Sequence, residues 1–142
     1  AKAKVTNSTD IFASYTFTDS EQRIPQAQGT GIRKTLGVPD HQFTLVATQR
    51  FRRFWINFDF LATSDYLAPI FDTNGFTFRS YIYRFKGNRK GDLTAGYTFG
   101  FKQEKMTLRL FGTVENVFDQ VYYENGFRTA GATGRVGMSF GF

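Results

Sequence analysis

Apolar and polar positions alternate along this chain, most cleanly over its last nine residues. From Gly134 to Phe142, Val136, Met138, Phe140 and Phe142 fall on one side and Arg135, Gly137, Ser139 and Gly141 on the other. A period of two is a β-strand with one apolar face. The same period recurs upstream. Ile11, Ala13, Tyr15 and Phe17 alternate with Phe12, Ser14 and Thr16. Phe43, Leu45, Ala47 and Phe51 share a side that Gln49 interrupts; Thr44, Thr48 and Arg50 lie opposite, with Val46 the apolar exception. The clearest case sets Phe54, Ile56, Phe58 and Phe60 against Trp55, Asn57, Asp59 and Leu61. Leu93, Ala95, Tyr97, Phe99 and Phe101 then oppose Thr94, Gly96, Thr98 and Gly100. Met106, Leu108, Leu110 and Val114 oppose Thr107, Arg109, Thr113 and Glu115, with Phe111 out of step. No stretch shows a helical period, and no apolar run approaches the roughly twenty residues of a membrane helix.

The connections between these strands carry a second pattern. In chain order they run short (7–10), long (21–40), short (52–53), long (67–91), short (102–104) and long (119–131). Short turns at one end and long loops at the other are the asymmetry of an outer-membrane β-barrel. The expected fold is therefore all-β: an antiparallel transmembrane β-barrel, or a segment of about seven strands of one, forming a single unit over 1–142 with no plug domain. Loop length places Arg52-Arg53, Lys102 to Glu104 and Phe142 on the periplasmic side, and Glu21 to Asp40 outside. The first strand, Ala1 to Thr6, falls short of the nine to eleven residues a membrane strand needs. The chain thus reads as starting in mid-barrel. Seven strands leave two open edges, which lipid does not tolerate. The remaining strands are expected from a longer chain or from other subunits. The stretch 67–91 is ambiguous, with Pro69, an Asn74-Gly75 turn signal and an apolar run from Phe76 to Phe85. Counting Phe76 to Lys86 as a strand gives the alternative, a closed eight-stranded barrel.

Composition agrees with two unlike faces. Eighteen Phe and seven Tyr stand beside a mean hydropathy of −0.35. The net charge of +6 raises nucleic acid as a partner. The cations instead gather at strand ends (Arg50, Arg52, Arg53; Lys86, Arg89, Lys90; Lys102, Lys105), where they suit anionic lipid head groups, and no nucleic-acid partner is expected. The absence of cysteine removes disulfides, zinc-thiolate sites and thiol nucleophiles. Ala1-Lys2-Ala3-Lys4 has no apolar core and is not a signal peptide.

Candidate chemistry is sparse, and the chain is not expected to be an enzyme or to carry a cofactor or metal. His41, the only histidine, stands beside Pro39 and Asp40 at an expected strand mouth. Asn57, Asp59, Arg109, Glu115 and Arg135 all fall on the polar side, as lumen-facing residues. Asp59, Arg109, Glu115 and Arg135 suit a structural ion network better than a carboxylate pair or a sugar site. The basic loop Gly87 to Gly91 lacks phosphate-loop spacing and reads as a solvated turn. Tyr66, Phe71, Tyr122 and Tyr123 sit at expected outer mouths, where they are the weak candidates for ligand contact.

One stretch carries a family resemblance. ENVFDQVYYENG, a Gly-rich spacer and the closing GRVGMSFGF resemble the C-terminal end of TonB-dependent outer-membrane receptors. VPDHQFTL (Val38 to Leu45) and RFKGNRKGDLTAGYTF (Arg84 to Phe99) resemble strand openings of that family. The plug and the energy-coupling segment of the family have no counterpart here. The resemblance implies a bacterial outer-membrane location and part of a receptor that takes up a scarce large solute, a metal chelate or glycan. Its implied partners are the lipid bilayer, an inner-membrane energy-coupling protein and the outer-membrane assembly machinery. That machinery would read Val136, Met138, Phe140 and Phe142 as an assembly signal. A small passive or structural barrel and a soluble aromatic β-sheet binding module are the other expectations.

Overall fold

The computed structural model describes residues 1–24, 31–72, 79–101, 105–124 and 127–142. All regular structure among them is β, and every strand pairing is antiparallel. The strands are β1 (Lys2–Thr6), β2 (Thr9–Phe17), β3 (Glu21–Ile24), β4 (Gly31–Lys34), β5 (His41–Phe51), β6 (Phe54–Thr63) and β7 (Tyr66–Asp72). They continue with β8 (Arg79–Phe85), β9 (Arg89–Phe101), β10 (Met106–Glu115), β11 (Tyr123–Glu124), β12 (Phe127–Arg128) and β13 (Thr133–Gly141).

Seven of these form one up-and-down sheet in the order β1-β2-β5-β6-β9-β10-β13. All but β1, a short stub of Lys, Ala, Val and Thr, are the strands the alternation marks out, because each has a face that water rejects and β-branched or aromatic residues that fit a pleated surface. The remaining six make three separate two-stranded hairpins, β3–β4, β7–β8 and β11–β12. All three rise from the same end of the sheet, here called the loop end; the other is the turn end.

The long connections thus differ from the unstructured loops expected at 21–40 and 119–131. Hydrogen-bonded ribbons satisfy their backbone groups where no sheet neighbour is at hand. The same ribbon resolves the ambiguity at 67–91. β8 pairs with β7 alone, so the eighth barrel strand of the alternative reading does not form. Pro69 is tolerated because β7 lies in an isolated ribbon with an open edge. The Asn74-Gly75 signal, the start of the run at Phe76 and the turn at 102–104 lie outside the described residues.

The register assigns the two faces. Ala13 pairs with Leu45, Leu45 with Phe60, Ala47 with Phe58, Phe58 with Leu93, Tyr97 with Leu110, and Leu110 with Met138. One face is therefore apolar across six strands. Across the other face run Thr48, Asn57, Thr94, Thr113 and Arg135, each paired to the next. A one-residue slip anywhere would exchange the two faces, so the match across six strands fixes the register.

Among the described residues no second layer covers the apolar face. Among the described residues the buried apolar side chains are Phe85 and Tyr122, and both belong to the loop end. The accessible surface is 10795 Å². A compact monomer of 16.2 kDa has about 7,500 Å². Among the described residues β1 and β13 pair only inward, so the sheet is open at both edges.

Candidate functional site

The polar face is the first candidate surface. All five residues expected to face a lumen lie on it, but they do not make one ion network. Glu115 and Arg135, on neighbouring strands, form an ion pair, with Thr133 Oγ1 3.5 Å from the Glu115 carboxylate. Asn57 accepts from Thr48 Oγ1 at 2.6 Å and donates from Nδ2 to Asp59 at 2.5 Å. Asp59 sits directly opposite Asp92, whose carboxylate receives Lys90 at 3.2 Å and the Asn116 backbone N–H at 2.8 Å. Among the described residues Arg109 meets no carboxylate; its guanidinium carbon lies 4.5 Å from the Trp55 ring centre. Two glycines make room for the large residues of this face. A Cβ at Gly96 would lie 2.7 Å from the Trp55 indole, and one at Gly137 2.5 Å from Phe111 Cζ. Phe111, out of step in the sequence, is thus housed over a glycine of the next strand. The Trp55 indole N–H, turned toward Gly96, has no partner among the described residues.

The loop end is the second. Tyr66 stacks on Phe85 with ring centres 5.5 Å apart, Tyr83 meets Phe85 edge-on at 5.0 Å, and Tyr123 packs at 6.3 Å from Phe85. The Tyr66 hydroxyl donates to the Tyr123 carbonyl at 3.0 Å, tying β7 to the segment after β10. Between them lies a cavity of about 420 Å³ lined by Ile70, Tyr83, Phe85, Val121, Tyr122 and Tyr123, with Lys86 and Gln120 supplying its polar groups. Of the expected mouth residues, Tyr66, Tyr122 and Tyr123 come together here. Phe71 does not; it is 68% exposed and joins no aromatic cluster among the described residues.

A clamp positions this segment. Asn116 is 3% exposed and adopts a positive φ of 51°. Its Nδ2 donates to the carbonyls of Gln120 and Ala130 at 3.0 and 3.3 Å, and its Oδ1 accepts from the Gln120 N–H at 3.2 Å. Asp119, at φ 50°, accepts from the Ala132 N–H at 2.8 Å. The Asn and Asp of ENVFDQ are therefore the residues that fold the return from β10 to β13. Asn and Asp tolerate this backbone and bond it locally. The sequence showed the motif but not the clamp. Of the basic stretch expected as a turn at 87–91, only Gly87 and Asn88 connect strands, with the Gly87 N–H donating to Asp65 at 2.9 Å and Thr63 Oγ1 donating to Asn88 Oδ1 at 3.1 Å; Arg89, Lys90 and Gly91 already belong to β9 and pair with Ala62, Leu61 and Phe60.

The apolar face ends in aromatic bands. At the loop end Tyr15 and Phe17 flank His41, whose Nδ1 is 2.8 Å from the Tyr15 hydroxyl. At the turn end stand Phe51, Phe54, Phe101 and Phe142, with the Arg52 guanidinium 5.8 Å from the Phe51 ring. Val136, Met138 and Phe140 lie on this face of edge strand β13 and Phe142 follows its last residue; they are 91%, 77%, 55% and 100% exposed. Among the described residues no group of acids, histidines or thiols is placed to hold a metal.

The chain matches no protein-family model, and no curated protein is significantly similar to it.

Proposed function

We propose that this chain forms part of the wall of a transmembrane β-barrel in a bacterial outer membrane, serving a receptor that passes a large solute. The observation that carries the proposal is the uncovered apolar face. Six adjacent strands carry an aromatic and aliphatic face on which, among the described residues, Phe118 packs against Phe60 at the loop end but no second layer lies, and the surface exceeds that of a compact monomer by about 3,300 Å². Water does not tolerate so large an apolar patch on a stable monomer. Hydrocarbon does, and the aromatic bands at both ends suit the two membrane interfaces. Ten residues of β6 rise about 33 Å, or about 25 Å along the normal at a tilt near 40°, the height of an outer-membrane apolar band.

In this reading the polar face lines a lumen, the hairpins face outward and the open edges at β1 and β13 join further strands. The sequence resemblance alone supports the metal chelate or glycan, the energy-coupling partner and the assembly-signal role of Val136, Met138, Phe140 and Phe142. Spin labels placed singly along 54–61 test the wall reading in lipid vesicles. Labels at 54, 56, 58 and 60 should be accessible to oxygen, and labels at 55, 57, 59 and 61 to a water-soluble nickel chelate. Uniform water access along the strand would refute it. Counting strands per closed barrel separates a receptor segment from a passive barrel assembled from copies of this chain.

A further inference from the structure

We propose that the recess on the polar face between Trp55 and Arg109 binds an oxyanion group, a carboxylate or phosphoryl oxygen, carried by a solute. Its construction starts at Gly96 on β9. Because that residue has no side chain, the indole of Trp55 from β6 occupies the space above it. Arg109 on β10 pairs with Thr98, one step along from Gly96 on the same face, and reaches diagonally back onto the indole. Two strands that do not pair with each other are bridged over a glycine. Cation–π attraction holds the guanidinium in place there while leaving its five N–H donors to other partners.

Arg109 differs from its basic neighbours. Arg50 holds Asp10 at 2.6 Å, Lys90 holds Asp92 at 3.2 Å, Arg135 holds Glu115 and Lys34 holds Asp40. Arg109 has no carboxylate within ion-pair distance among the described residues. The recess has a volume of about 350 Å³ and is lined by Thr48, Arg50, Trp55, Asn57, Thr94 and Arg109. Two guanidinium groups and two hydroxyls thus line it, and no carboxylate does. The acids beside it are already engaged, Asp10 by Arg50, Asp59 by the Asn57 amide, and Asp92 by Lys90 and the Asn116 N–H. Arg50 gives one nitrogen to Asp10 and keeps others. A stacked arginine beside a second arginine is the arrangement that grips planar or tetrahedral oxyanions through paired N–H donors. The volume exceeds one such group, so part of the solute body enters with it. The inference stands on the polar face and holds whatever medium covers the apolar one.

Trp55 is the only tryptophan in the chain, so its emission reports this recess directly. The full chain in neutral detergent is titrated with sodium phosphate and with sodium acetate, against sodium chloride at equal ionic strength. At least one oxyanion should give a saturable change in emission, and chloride none. Arg109→Gln should move the midpoint of that titration at least about tenfold, the loss of a charge-assisted hydrogen bond. Arg109→Lys, which keeps the charge but not the fork, should also weaken it. Arg135→Gln, at a paired arginine away from the recess, should leave the midpoint unchanged. An equal response to chloride would reduce the effect to screening and overturn the proposal, as would a wild-type midpoint in Arg109→Gln. Should Arg109→Gln fail to fold by circular dichroism, arginine Nε–H resonances of the wild-type chain decide instead. One of them should shift with the midpoint seen in fluorescence. If none moves while the emission saturates, the site is not there.

Discussion

Single residues in this sheet are constrained by what lies across the next strand. Gly112 and Gly137 show the contrast. A Cβ at Gly137 would strike Phe111 Cζ at 2.5 Å, whereas one at Gly112 would find nothing closer than 3.8 Å, over an open apolar trough. Gly137→Val should therefore expel the Phe111 ring and destabilise by about 1–3 kcal/mol. Gly112→Val should be neutral or stabilising by up to about 1 kcal/mol, since a β-branched residue replaces a glycine inside a strand. Denaturant midpoints in detergent check both, and a loss at Gly112 equal to that at Gly137 would contradict the packing described. Asn116 is constrained by hydrogen bonds. Asn116→Ala leaves the carbonyls of Gln120 and Ala130 and the Gln120 N–H without their partner, for an expected loss of about 2–3 kcal/mol. The loss should appear with faster amide exchange across 119–132 than across β5 and β6.

Elements obey the same logic through their turns. The β5–β6 hairpin closes on Arg52-Arg53, with Phe51 paired to Phe54, and Arg52 takes a φ of 54°. A two-residue hairpin loop with positive φ at its first position is glycine's natural place. An arginine there pays about 1 kcal/mol in left-handed strain. Arg52→Gly should raise the unfolding midpoint by about that amount, with the register of β5 and β6 unchanged by amide exchange. A lower midpoint would mean that the Arg52 stacking on Phe51 outweighs the backbone term. The long connections show the reverse case. β3–β4 and β11–β12 are short ribbons, of four- and two-residue strands, and a period of two cannot be read over so few positions.

At the scale of the molecule the apolar face decides what surrounds it. Phe58 lies near the middle of β6 and of the apolar stripe, stacked 6.3 Å from Phe60. In a bilayer, Phe58→Arg at this depth should cost about 2–4 kcal/mol. On a sheet face open to water the same change would stay within about 0.5 kcal/mol. Refolding equilibria in lipid vesicles distinguish the two. A cost near zero there would point to the soluble binding module instead of a membrane wall.

The seven main strands, their two faces and the side on which Asn57, Asp59, Arg109, Glu115 and Arg135 fall were all written in the sequence. Alternation is a local property: each residue declares its face by its own chemistry, and loop lengths declare which ends of the strands meet. What the sequence left open depends on residues far apart along the chain. Tyr66 and Tyr123 join a cluster across 57 positions because two loop segments return to the same end of the sheet. Arg109 finds Trp55, and not one of the acids, because β9 lies between their strands with a glycine at the crossing. Asn116 reads as an ordinary polar residue after a strand; only the folded return brings the carbonyls of Gln120 and Ala130 within its reach. Side-chain period fixed the faces, and strand order with register decided which residues on those faces touch.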